Sequence, residues 1–310
     1  MSALAVGVAQ GAPEPPADEA RQPGRRRSTP YLLLLPGALW LGVFFVAPLV
    51  FLASQSLQTG SLVEGYALTW RFQTYADVLG TYSTQLVRSL LYAVAATLLA
   101  LLIAYPLAYT IAFRAGRWKN VLLVLVVAPF FTSFLIRTLA WQNILATDGP
   151  VTGLLRSLGV TDVLQTLGLI GGDKLLGTPL AVVTGLTYNF LPFMTLPLYA
   201  SLERIDPRLL EAANDLYASP FTGFRKVTVP LSIPGVVAGT LLTFIPAAGD
   251  YINSQLLGSP ETTMIGQVVA GQFLRVLDYP TAAALSVVLM VTIVVLVALY
   301  IRRAGTEELL

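Results

Sequence analysis

Residues Glu211 to Gly235 read EAANDLYASPFTGFRKVTVPLSIPG, a polar and aromatic stretch enclosed between two apolar runs of transmembrane length. Its first half combines good helix formers with a carboxylate at its start, which favours a short surface helix. The chain then turns near Ser219 and Pro220, and a second short helical pattern ends at Pro230. Two short helices between two membrane spans predict a docking surface for a partner outside the bilayer.

The composition indicates a membrane protein independently of this stretch. Hydrophobic residues make up 55% of the chain, charged residues only 12%, and the mean hydropathy is +0.71. A helix that spans a bilayer needs roughly 20 mostly apolar residues. Six runs meet this requirement: about 31 to 53, 89 to 113, 120 to 142, 178 to 202, 231 to 253 and 281 to 301. The predicted fold is all-α, a polytopic membrane protein with six transmembrane helices.

The distribution of Lys and Arg predicts the orientation, because these residues favour the cytoplasmic side. With the amino terminus inside, the inner segments hold most of the basic residues. Of the 19 in the chain, 13 then lie inside: Arg21, Arg25, Arg26, Arg27, Arg114, Arg117, Lys119, Arg204, Arg208, Arg225, Lys226, Arg302 and Arg303. We therefore expect a multi-pass protein of the plasma membrane, in bacteria the inner membrane, with both termini and the Glu211 segment in the cytoplasm.

The same topology predicts the domain organisation. Residues 1–30 are rich in Pro and charge, so we expect a disordered cytoplasmic tail. Residues 31–303 form the predicted transmembrane domain, which includes a cytoplasmic loop over residues 203–230. Residues 304–310 form a second cytoplasmic tail. Three outer segments, about 54–88, 143–177 and 254–280, are longer than a helical hairpin requires and are expected to carry structure.

The Glu211 segment resembles the cytoplasmic loop of ABC importer permeases, which carries a Glu-Ala-Ala pattern followed by a hydrophobic-Pro and Pro-Gly ending. The matching positions are Glu211, Ala212, Ala213, Asp215, Ala218, Phe224, Val227, Pro230, Pro234 and Gly235. The chain departs from this pattern at Tyr217, where the family usually has Gly, so a wider or differently angled turn is expected. Residues 244–286 look like the spermidine/putrescine group of these permeases, and the resemblance extends over nearly all of residues 31–303.

The resemblance implies a MetI-like permease subunit that forms the path of a small organic solute, with a polyamine as the leading substrate. It also implies four kinds of partner: a related but different second permease, two ATPase subunits that hold ATP and Mg, an extracytoplasmic substrate-binding protein, and membrane lipid. In the loop, Glu211 would fix the first helix, the two alanines after it would permit close approach, and Phe221 or Phe224 would anchor in the ATPase. The alternative is a helix packed against this chain's own inner helix ends.

A carboxylate near the outer end of the fifth span is the candidate substrate site. Asp250 lies at membrane depth, where a charge is expensive and should face protein or water. A carboxylate can neutralise an ammonium group, while the rings of Tyr251 and Tyr188 can add cation–π attraction. The predicted pathway residues are Tyr188, Asn189, Asp250, Tyr251 and Asn253. The alternative is a rim carboxylate that only solvates the helix end.

Several motifs are absent from the sequence. There is no Gly-rich phosphate loop that ends in Gly-Lys-Ser or Gly-Lys-Thr, so ATP hydrolysis must belong to a partner. The chain has no Cys and no His, and we predict no catalytic residue, no metal site, no cofactor of its own and no nucleic-acid groove. An integral-membrane enzyme, an ion-coupled carrier and an ABC permease for another small solute are the alternative functions.

Overall fold

A computed structural model describes residues 29–304, except residues 167, 169 and 173. The predicted tails therefore lie outside the described residues, apart from the helical residues 29, 30 and 304. The chain divides between Val50 and Phe51 into two compact units. The first unit contains α1 (Thr29–Leu41), a π-helical turn (Gly42–Val46) and the start of α2 (Ala47–Gln55). This stretch has no charged residue, and it matches the first predicted span.

The described part of the second unit contains twelve α-helices and one antiparallel hairpin. In chain order its elements are β1 (Gln58–Ser61), β2 (Gly65–Leu68), α3 (Gln73–Phe113), α4 (Lys119–Val127), α5 (Phe134–Ile144), α6 (Pro150–Ser157), α7 (Val160–Thr166), α8 (Pro179–Glu203), α9 (Pro207–Asp215), α10 (Pro220–Gly223), α11 (Val229–Ala248), α12 (Ile252–Leu257), α13 (Ile265–Gly271) and α14 (Tyr279–Ala304). Single 3₁₀ turns occur at Gly116–Trp118, Ala128–Phe131 and Pro260–Thr262. Further π-helical turns occur at Phe224–Thr228 and Gln272–Val276.

Five of the six predicted spans are long apolar helices, and the third is broken. Among the described residues, five helices have the length and hydropathy to cross a membrane, while Gly116–Phe131 and Phe134–Ile144 form a pair bent by 96°. The break falls at Thr132 and Ser133, whose ψ angles of 149° and 136° are extended rather than helical. The span predicted over residues 120–142 is thus interrupted by a sharp bend, and the all-α polytopic fold is confirmed.

The core of the second unit forms where α3 packs against α8. A stripe of alanines at helical spacing faces α8, and its members are fully buried: Ala93, Ala96, Ala100, Ala104 and Ala108. Leu186, Met194, Leu198 and Leu202 of α8 pack against this stripe. Small side chains let two helix backbones approach closely, which is a common basis of helix packing in membranes.

The expected structure of the three outer segments is present. The first holds the hairpin, with Gln58 opposite Leu68 and Ser61 opposite Gly65, and the start of α3. The second holds α6 and α7, and the third holds α12 and α13. The hairpin is tied to the distant start of α14, because the Tyr66 hydroxyl donates to the Leu277 carbonyl at 2.5 Å.

Candidate functional site

The first predicted helix of the Glu211 segment is α9, which begins at Pro207, four residues before the predicted start. Proline suits the first turn because its missing N–H has no partner to lose there. The Asp206 carboxylate accepts from the Arg208 N–H at 2.9 Å, which satisfies one of the free donors at the helix start. Glu211, Ala212 and Asp215 are exposed along α9.

Tyr217 ends α9 in a strained conformation. Its φ angle is +58°, in the left-handed region that glycine adopts without penalty. The Ala218 N–H donates to the Ala213 carbonyl at 3.1 Å, the bond that closes a Schellman turn and requires a left-handed residue before it. Tyrosine in place of the family's usual glycine therefore costs on the order of 1–2 kcal/mol in backbone strain.

An exposed apolar surface surrounds this turn. Leu216 is 82% exposed, Tyr217 98% and Phe221 71%. We call these three residues the docking surface. Ala213 and Ala218, by contrast, are half-buried. Leu216 was not among the site residues predicted from the sequence, although a large apolar side chain within a polar loop could have indicated an exposed contact residue.

The second half of the segment continues directly into the membrane. Ser219 caps α10 by accepting from the Thr222 N–H at 3.3 Å. The helix then continues through the π-helical turn into α11, so that residues 220–248 form one helical rod. The predicted stop at Pro230 is wrong, because the helix continues past this proline, which directly follows the π-helical turn.

Gly235 is the point of closest approach between α11 and α8. A Cβ atom at this position would lie 2.5 Å from the Ser201 Cβ and 2.8 Å from the Pro197 carbonyl oxygen. Such contacts are too short for any side chain, so only glycine permits this crossing. Pro234 precedes it and is half-buried, as is Val227 one turn after Gly223. The Pro-Gly ending of the motif thus lies where the rod packs against α8.

An ion pair connects the inner ends of the neighbouring helices. The Lys119 ammonium at the start of α4 bonds to the Glu203 carboxylate at the end of α8. The same ammonium lies 5.4 Å from the centre of the Tyr199 ring. Because Glu203 stands just before α9, this pair joins the broken third span to the Glu211 segment. From the sequence, Lys119 was used only as one of the basic residues that predict the orientation, and its pairing with Glu203 was not predicted.

Three predicted pathway residues meet in a buried hydrogen-bond network. Asn189 of α8 is 1% exposed, and its side-chain amide donates to the Asn253 carbonyl oxygen at 3.0 Å and to the Thr138 hydroxyl at 3.2 Å. The Asp250 carboxylate, 8% exposed, accepts from the Asn253 N–H at 2.7 Å and so caps α12. Within the described residues, the Asn189 carbonyl oxygen and the Asn253 amide nitrogen have no partner.

The two predicted tyrosines are not hydrogen-bonded members of this network among the described residues. Tyr188 packs edge-on against Trp141 of α5, with 5.3 Å between ring centres. Tyr251 is 42% exposed and lines an apolar cavity of about 860 Å³ between α11, α13 and α14, together with Gly249 and Phe273. The predicted pathway residues therefore do not form one group. Asn189, Asp250 and Asn253 form a buried polar centre. The Tyr251 ring lies at the wall of the apolar cavity, and Tyr188 packs against Trp141.

The buried amide pair is tested by Asn189→Leu, Asn253→Leu and the double variant. Each single variant should lower the free energy of unfolding by about 1–3 kcal/mol, because it leaves a buried amide unpaired. The double variant should lose less than the sum of the two, because the residues are in contact. Denaturant unfolding of the solubilised chain measures this, with exposed Asn143→Leu as control. Additive losses would contradict the pairing.

The strain at Tyr217 is tested by comparing Tyr217→Gly with Tyr217→Ala. Both remove the ring, but only glycine adopts a φ of +58° freely, so the glycine variant should be more stable by about 1 kcal/mol. Glu211 in the middle of α9 is the matched control, since there alanine should be more stable than glycine by a similar amount. Thermal unfolding gives both differences. Equal stability of the two Tyr217 variants would rule out the strain.

Comparison with known proteins identifies the family. The family model "Binding-protein-dependent transport system inner membrane component" matches residues 96–304. The spermidine/putrescine transport system permease protein PotB of Salmonella typhimurium (strain SL1344) is 36% identical over 266 residues, which cover 86% of this chain and 90% of that protein. The inner membrane ABC transporter permease protein YdcU of Escherichia coli (strain K12) is 33% identical over 289 residues, which cover 90% and 91%.

Solved structures share the fold at lower identity. A chain of a bacterial ABC transporter that imports the acidic polysaccharide alginate aligns with a TM-score of 0.60 and 18% identity, over 88% of this chain and 94% of that chain. A chain of the inward-facing MetNI methionine ABC transporter aligns with a TM-score of 0.53 and 18% identity, over 74% and 98%. The resemblance inferred from the Glu211 segment is thus confirmed. The chain belongs to the family of inner membrane components of binding-protein-dependent transport systems, the permease subunits of ABC importers.

Proposed function

We propose that this permease forms part of the membrane path of an importer for a polyamine such as spermidine or putrescine. The observation that carries the substrate is the 36% identity to a spermidine/putrescine permease over 86% of the chain. A permease for another small organic solute is the second candidate, because YdcU, at 33% identity, has no substrate in its name. The ion-coupled carrier and the membrane enzyme are set aside, since the family consists of transport components of ABC importers.

The buried polar centre supports a cationic solute. Asp250 is a buried carboxylate that accepts from the Asn253 N–H, and Asn189, which bonds to Asn253, has a side-chain oxygen without a partner among the described residues. Buried polar groups without partners are rare and occur where water or a ligand supplies the missing bond. Tyr251 follows Asp250 in the chain, and its half-exposed ring can contribute cation–π attraction of about 0.5–2 kcal/mol. Tyr188, which precedes Asn189 in the chain, is proposed as a second aromatic wall.

The docking surface supports an ATPase partner. Leu216, Tyr217 and Phe221 are large apolar side chains exposed together, the kind of residues that dominate binding energy at protein interfaces. Glu211 and Asp215 are exposed on the adjoining α9 and are proposed to set the register at the rim. Two ATPase subunits would hold ATP and Mg, because this sequence has no phosphate-binding loop.

The rest of the assembly follows from the family. We propose a second, related but different permease beside this chain and an extracytoplasmic binding protein above it. With the Glu211 segment and both termini in the cytoplasm, most basic residues lie on the inner side. ATP binding would draw the two ATPases together, move the docked α9 and open the path outward. This requires that the ATPases bind one permease conformation more tightly than the other, because equal affinity shifts nothing.

The substrate is tested with membrane vesicles that contain the whole assembly. Radiolabelled spermidine should accumulate only when ATP is supplied, and unlabelled spermidine or putrescine should compete, because the ammonium groups are what Asp250 would recognise. Unlabelled 1,4-butanediol, which has the carbon chain of putrescine without an ammonium group, serves as the control. Spermidine that fails to compete would defeat the polyamine assignment and leave the transporter class intact.

Docking is tested by Phe221→Ala. Removing an exposed aromatic anchor should weaken binding of the ATPase subunit by about 30-fold, the effect of a hot spot worth about 2 kcal/mol. Titration of the solubilised permease with purified ATPase measures the affinity. Phe72→Ala is the matched control, because this phenylalanine is similarly exposed, at 65% against 71%, but lies in the first outer segment. Equal affinities for the two variants would remove Phe221 from the interface.

A further inference from the structure

Phe224 faces this chain's own α3 instead of the docking surface. Its ring centre lies 5.7 Å from that of Tyr105 and 5.7 Å from that of Tyr109, with interplanar angles of 89° and 82°. Both are edge-on contacts within the range of attractive aromatic pairs. The two tyrosines stand four residues apart, so they lie on the same face of α3. Phe221, only three residues earlier, is exposed.

A hydrogen bond repeats the connection two turns further along the rod. The Tyr105 hydroxyl and the Ser232 hydroxyl lie 2.8 Å apart. Ser232 is fully buried and donates its own proton to the Val229 carbonyl at 2.9 Å, so Tyr105 is the donor to Ser232. Tyr105 thus contacts the rod at two points, through its ring and through its hydroxyl.

Both helices have a structural irregularity at this contact. Pro106 lies between the two tyrosines and cannot donate to the Leu102 carbonyl, which makes this the natural bending point of α3. Phe224 opens the π-helical turn that joins α10 to α11. Such turns occur frequently at functional sites. The contact therefore lies at the proline of α3 and at the π-helical turn of the rod.

We propose that Phe224, Tyr105 and Tyr109 form an aromatic clamp that transmits movement of the docked segment to α3. The inference rests on the proposed ATPase docking and assigns separate roles to neighbouring phenylalanines. Phe221 binds the partner, and Phe224 carries the displacement into the membrane domain. Because residues 220–248 form one helical rod, the clamp makes α3 and the rod move as one body.

The clamp is tested by a distance measured between two spin labels in the assembled transporter. Thr110→Cys on α3 and Lys226→Cys on the rod place labels at exposed positions, and this chain has no other cysteine. With Phe224 present, the distance should stay constant between the nucleotide-free and the ATP-trapped states. In Phe224→Ala it should change by more than about 2 Å, the scale of helix shifts in switching proteins. Phe224→Leu removes the aromatic ring but keeps an apolar side chain of similar size. It is used in the same measurement if Phe224→Ala does not fold.

A second readout separates transmission from docking. Phe224→Ala should retain the ATPase subunit, while spermidine uptake per ATP hydrolysed falls between about fivefold and about 150-fold, the usual range of coupling between sites. Phe221→Ala, the control, should lose the ATPase instead. A constant label distance in both Phe224 variants would overturn the clamp, as would loss of the ATPase from Phe224→Ala. Failure of the unmodified chain to hold the ATPase would overturn the docking proposal and the clamp with it.

Discussion

Three helices, α3, α8 and α11, approach one another so closely that only small residues fit where their backbones cross. Ala100, Ala104 and Ala108 form the α3 side of one crossing, and Gly235 and Gly239 form the α11 side of the other. In lipid there is little hydrophobic gain from bringing helices together, so tight van der Waals packing must hold them. The positions of the docking surface, the clamp and the polar centre all depend on these two crossings.

The crossings also connect the Glu211 segment to the long apolar helices. The rod from residue 220 to 248 is continuous, and Gly235 fixes it against α8 while Phe224 fixes it against α3. Irregular points along this connection include the strained turn at Tyr217, the π-helical turn after Gly223, and Pro234 and Pro246 within α11.

Much of this arrangement could be predicted from the sequence. Apolar runs of span length identify the membrane helices because lipid requires them. The Glu-Ala-Ala and Pro-Gly pattern identifies the family. The break in the third span could not be predicted from hydropathy, which does not record that Thr132 and Ser133 are extended. Phe221 and Phe224 share a helical pattern, yet periodicity alone does not tell which one faces a partner. The pairing of Asn189 with Asn253 joins residues 64 positions apart, beyond the reach of local patterns.

The length of α3 would give a bend at Pro106 a long reach. Its 41 residues extend over about 60 Å, roughly twice the hydrocarbon thickness of a bilayer. Pro106 lies near the Phe113 end of α3, so the arm back to Gln73 is about 50 Å long. A tilt of about 10° at the proline would swing the far tip by roughly 9 Å, wider than one helical turn. Small angular changes at Pro106 would thereby be amplified into large excursions at the Gln73 end of the helix.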